Sequence, residues 1–149
     1  MLKINFNNEV SIKAFIFIAL QFLICFSVLA ETFSVRCKFT DGQVTDFDKS
    51  IPNTKRTSDM SDLVYDQIDT TKNSARLIGN IGVETVRAIA GSNSVHLIEI
   101  TGSGNMNITT IFGTSKLNSN SFPVVHSRHM MTSSGALPSQ YLGLCTKLF

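Results

Sequence analysis

The sequence predicts an all-β domain, an antiparallel meander that closes into a small barrel. Three observations carry this. Runs rich in Val, Ile, Phe and Thr recur at 8–12-residue spacing, separated by Gly, Asn, Asp and Ser. No long apolar stripe of helical period lies between them after residue 30. Two cysteines, Cys37 and Cys145, sit in the first and last of these runs. A disulfide between them requires Cα atoms within about 7 Å, which makes the terminal strands neighbours. In a meander that adjacency closes the sheet and removes its edges. A two-sheet β-sandwich can also bring terminal strands together and is the alternative.

The first thirty residues are of a different kind. Lys3 and Lys13 flank a basic start, and Ala14 to Ala30 is apolar apart from Gln21 and Ser27. Val28 and Ala30 are the small residues expected before a cut ahead of Glu31. The segment therefore reads as a hydrophobic signal helix, residues 1–30, preceding a single β-domain, residues 31–149. At about 1.5 Å per residue the apolar stretch spans about 25 Å, short of a hydrocarbon core of about 30 Å. A retained N-terminal membrane anchor is the alternative, and it is the only route to a membrane that the sequence offers. Cys25 follows Ile24, where a lipid-attachment signal places a small residue. Either way the remainder is expected to be exported, to the periplasm or the extracellular space.

The strands are expected, in order, at Phe33–Phe39, Val44–Phe47, Asp62–Asp69, Ala75–Ile78, Val83–Ala90, Ser94–Thr101, Met106–Phe112, Phe122–His129 and Gln140–Leu148. Asp41-Gly42, Gly79-Asn80, Gly91-Ser92-Asn93 and Gly102-Ser103-Gly104-Asn105 supply turns, being residues that tolerate positive φ. Ser58 to Asp69 also fits a helix, with Ser58 as cap and Met60, Leu63, Val64 and Ile68 as its apolar stripe. The Val-Tyr and Ile content favours a strand. Asp48 to Ser61, with Pro52 and the cations Lys49, Lys55 and Arg56, reads as a long polar loop, either plainly solvated or a lid.

Composition excludes several classes. Charged residues are 16% of the 149 and the formal net charge is +2, with no block of like charge. That argues against a disordered chain and against nucleic acid as a partner. No Gly-x-Ser-x-Gly nucleophile elbow, phosphate loop or calcium loop occurs. The two cysteines lack the Cys-x-x-Cys spacing of a redox or metal pair and are read as a structural disulfide. No catalytic residue, cofactor or metal is assigned. Asn107-Ile108-Thr109 is a glycosylation sequon, but its place inside an expected strand argues against modification.

The residues that merit attention are the histidines His96, His126 and His129, and above all Val125-His126-Ser127-Arg128-His129. In a strand His126 and Arg128 share one face, about 7 Å apart, while Ser127 and His129 share the other. His126 and Arg128 are the expected anion-binding pair: Arg offers a fixed fork of donors, and His changes charge near pH 6.5. Val124 and Met130 would supply an apolar wall. Glu99 would be a carboxylate partner to Arg128 from a nearby strand. The ligand-binding candidates are therefore Glu99, His126 and Arg128, and the plainer alternative is a cross-strand ion pair with half-buried histidines. The functional expectation is a small exported binding or structural protein without catalysis, whose partner is a small anionic ligand or an envelope protein. A tethered envelope module and a histidine-dependent metal protein or enzyme are the alternatives.

Overall fold

The computed structural model describes residues 32–47, 51–79, 82–114 and 119–148. The N-terminal signal helix expected over residues 1–30 lies outside the described residues, as do Asp48 to Ser50 of the polar loop and Asn80 of one expected turn. The elements are β1 (Phe33–Asp46), β2 (Asn53–Thr57), β3 (Leu63–Asp69), β4 (Ser74–Gly79), β5 (Gly82–Ala90), β6 (Ser94–Ile100), β7 (Met106–Phe112), β8 (Ser121–His129), β9 (Met131–Thr132), β10 (Gly135–Ala136) and β11 (Ser139–Lys147).

Eight strands form a closed antiparallel barrel in the order β1-β3-β4-β5-β6-β7-β8-β11, and β11 pairs back onto β1. Closure resolves the barrel-or-sandwich alternative. Each strand places alternate residues inside. In β1 these are Phe33, Val35, Cys37 and Phe39, all buried. Val95 and Leu97 of β6, Ile111 of β7, and Phe122 and Val124 of β8 meet them in one apolar core. Cys37 stands directly opposite Cys145 at the β1–β11 seam. The two form a disulfide with Cα atoms 3.8 Å apart, and both are fully buried.

The segment Ser58 to Asp69 is a strand from Leu63 onward, as its β-branched content indicated, and not a helix. Met60 and Leu63 pack against the core from the approach to it. A bulge at Gln67, with φ 51°, ends the regular β3–β4 pairing. Asp69 then closes the turn: its Oδ1 accepts from the Thr71 hydroxyl at 2.7 Å and from the Thr71 and Lys72 amides at 3.0 Å each. These bonds hold its carboxyl down to about 2.

The structure departs from the sequence expectations at two places and adds one element. The expected Asp41-Gly42 turn is absent, and Phe33–Asp46 is one strand of 14 residues. It bulges between Phe39 and Asp41. β11 pairs with it on one side from Val35 to Val44, and on the other side β3 pairs with Phe33–Cys37 and β2 with Gly42–Asp46, so nothing forces a reversal at Asp41-Gly42. Gly143 faces the bulge so closely that a side chain there would strike the Lys38 carbonyl and Phe39. The polar loop contains a strand, β2, whose residues NTKRT are nearly all exposed. Propensity gives no hint of it; it exists because the second half of β1 projects past β3 and needs a partner. Finally, a two-residue hairpin, β9–β10, lies between β8 and β11, in a segment too short for a periodic signal.

The disulfide is the expected determinant of stability, since it closes a loop across a sequence separation of 108. Replacing Cys37 or Cys145 by Ser should lower the unfolding free energy by roughly 2–5 kcal/mol in urea titration. Thiol labelling of the denatured, unreduced protein should find neither of these two cysteines reactive. Labelling of both would refute the bridge.

Candidate functional site

The inward faces of three neighbouring strands change character toward one end of the barrel. In β6 the inward sequence runs Val95, Leu97, Glu99; in β8 it runs Phe122, Val124, His126, Arg128; in β7, read backwards, it runs Ile111, Thr109, Asn107. Because the strands are antiparallel, the three polar ends coincide. Register aligns them in two lateral rows. The inner row is Leu97, Thr109, His126 and Tyr141; the outer row is Glu99, Asn107, Arg128 and Ser139.

The inner row is buried, and Thr109 and His126 within it are hydrogen-bonded. His126 is 3% exposed. Its Nδ1 lies 2.7 Å from the Thr109 hydroxyl, which lies 2.6 Å from the Tyr65 hydroxyl. One buried Thr therefore serves both neighbours as donor and acceptor. Phe39 and Tyr141 flank the imidazole, with ring centroids 5.7 and 6.3 Å away. Burial, and secondarily the charge of Arg128, lowers the His126 pKa to about 4. Burial also pushes the Tyr65 phenol above its usual range, and the Glu99 charge adds to this.

Glu99, Asn107 and Arg128 of the outer row line a cavity of about 330 Å³ at the barrel mouth. Glu99, Asn107, His126 and Arg128 contribute its polar wall. Met60, Leu63 and Leu77 contribute its apolar wall, and Asp59 stands at its rim. The Asn107 amide donates to Glu99 Oε2 at 2.7 Å. The opposite oxygen, Oδ1, is buried without a hydrogen-bond partner. Arg128 is half-buried, and among the described residues no hydrogen bond or ion pair engages it.

All three sequence-derived candidates thus line one cavity, but not in the expected roles. Glu99 and Arg128 are two strands apart, with Asn107 between them, and they do not pair. His126 is not a switch near pH 6.5: burial keeps it neutral at physiological pH. The apolar wall is built from Met60, Leu63 and Leu77, not from Val124, which is inside the core, or Met130, which lies beyond β8. His96 bonds Ser94 and Thr110 away from the cavity, and His129 is exposed at the end of β8. The histidines therefore do not converge. Among the described residues no group of three or more His, Cys, Asp or Glu is placed to hold a metal. The sequon Asn107 faces the cavity with its amide nitrogen engaged.

Comparison with known proteins finds no match: no family model, no curated protein and no solved structure is similar to this chain.

The low pKa of His126 has a defined consequence for stability. The unfolded chain binds a proton near pH 6.5, whereas the folded chain binds it only near pH 4. Between these values the unfolded state holds more protons, so stability is complete above about pH 6.5 and falls as pH drops toward 4, by about 3 kcal/mol. His126→Gln should flatten that part of the stability profile. An unchanged slope in the variant would show that other groups cause it.

Proposed function

We propose that this protein is an exported, non-catalytic binding barrel that seats a small amphiphile with its anionic group on Arg128. The observation that carries this reading is the cation itself. A guanidinium half-buried in a cavity wall, with no acid among the described residues engaged to it, is costly to leave without an anion. Its planar fork suits a carboxylate or a phosphate. The apolar wall suits a short hydrocarbon body, and the cavity volume lies at the small end for ligand sites. Binding is favoured over catalysis because a histidine near pKa 4 is a poor general base at neutral pH. The buried disulfide removes both described cysteines as nucleophiles.

Export is supported by the basic start and apolar run of residues 1–30 and by a disulfide that belongs to an oxidising compartment. Intact mass of the protein recovered from its native compartment should lack residues 1–30. Recovery of the full-length mass would replace export by tethering.

The binding reading is tested by thermal shift with six-carbon acids, including hexanoate and norleucine. At millimolar concentration at least one should raise Tm, and Arg128→Gln should weaken its binding at least tenfold. No shift with any acid, or equal shifts in the variant, would overturn the reading.

A further inference from the structure

Glu99 and Arg128 occupy the same lateral row, separated only by Asn107. Strands about 4.8 Å apart put their Cα atoms roughly 10 Å from each other. Long side chains of opposite charge at that spacing, on one inward face, can reach one another across a single strand. Instead Asn107 binds the carboxylate through its nitrogen and leaves its own oxygen without a partner. The row therefore presents a negative pole and a positive pole, held apart by a neutral amide.

The charges around the row sharpen the requirement. Asp59 lines the same cavity as Glu99. Glu84 and Glu99 together line an adjoining cavity of about 230 Å³, which shares Leu77 with the first. A simple anion on Arg128 would be repelled by these carboxylates. A simple cation on Glu99 would leave Arg128 half-buried and unanswered. A ligand bearing both charges meets both demands and places an acceptor and a donor within reach of Asn107.

We infer that the cavity recognises a small zwitterion with an aliphatic body. Its carboxylate seats on Arg128, its ammonium on Glu99, and its hydrocarbon lies against Met60, Leu63 and Leu77. This rests on the binding reading above and specifies the ligand class.

Calorimetry with three probes of equal length separates the possibilities: norleucine carries both charges, hexanoate only the negative, hexylamine only the positive. Norleucine should bind wild type at least tenfold tighter than either of the others. Glu99→Gln keeps the side-chain shape and should weaken norleucine at least tenfold, while leaving hexanoate unchanged or tighter. If hexanoate binds as well as norleucine and both ignore Glu99→Gln, the zwitterion is refuted and the anion-binding reading survives. If hexylamine binds tightest and ignores Arg128→Gln, or if no probe binds, both are refuted. The wild-type ranking decides between these outcomes even if a variant fails to fold.

Discussion

The whole structure depends on the seam between β1 and β11. These two strands pair from Val35↔Lys147 to Val44↔Ser139, with the Cys37–Cys145 bridge inside that run. Without the seam the sheet has two long edges and no interior. With it, every inward-facing residue acquires a neighbour on both sides. The bridge also fixes register. A slip of β1 by one residue would turn Cys37 and Phe39 outward, away from Cys145, and reverse the faces of that strand. The bulge between Phe39 and Asp41 lets β1 turn past Gly143 and run on to receive β2. Closure and the extra strand are thus consequences of one long, bent strand.

Closure also creates a graded interior. The end containing Val35, the disulfide, Ile111 and Phe122 is filled by apolar side chains and holds most of the burial. At the other end the same inward positions carry hydroxyls, an imidazole, an amide and two charges. Each such residue is less favourable for folding than an apolar one of similar size. The inner polar row is made tolerable by mutual hydrogen bonds, with His126 neutral and Thr109 shared. The outer row is tolerable because it lies at the mouth. Among the described residues, the Arg128 guanidinium, Asn107 Oδ1 and Ser139 Oγ are left there without a hydrogen-bond partner, and the first two carry the proposal of a ligand.

Much of this was legible in the sequence. Runs of Val, Ile, Phe and Thr between Gly, Asn, Asp and Ser turns located the eight barrel strands, and cysteines in the first and last of them pointed to closure. The period-two alternation of a strand put His126 and Arg128 on one face. The three inward frames, each passing from Leu, Ile or Val to Glu99, Asn107 or Arg128, carry the signal for the mouth as well. It appears only when the strands are aligned side by side, since no single strand displays it. Other features depend on partners that sequence does not name. Asp41-Gly42 has the chemistry of a turn, and only the unbroken pairing with β11 makes it part of a bulged strand. The polar β2 owes its existence to the free flank of β1. Asn107, a sequon by pattern, became the spacer between two charges through β6–β7–β8 register. The depressed pKa of His126 follows first from burial, against Tyr141 on the neighbouring strand and Phe39 across the seam, and only secondarily from Arg128; no local window contains that burial.

Hydrogen exchange at the seam tests the central claim most directly. If β1 and β11 close the barrel, their paired backbone amides should exchange only through global opening, with free energies equal to those of β6 and β7. That equality, followed by NMR in the oxidised protein, is the predicted result. Rapid exchange of alternate amides along β1 or β11, at rates near those of unfolded chain, would mark an edge strand. The barrel, its mouth and the cavity would then all have to be abandoned.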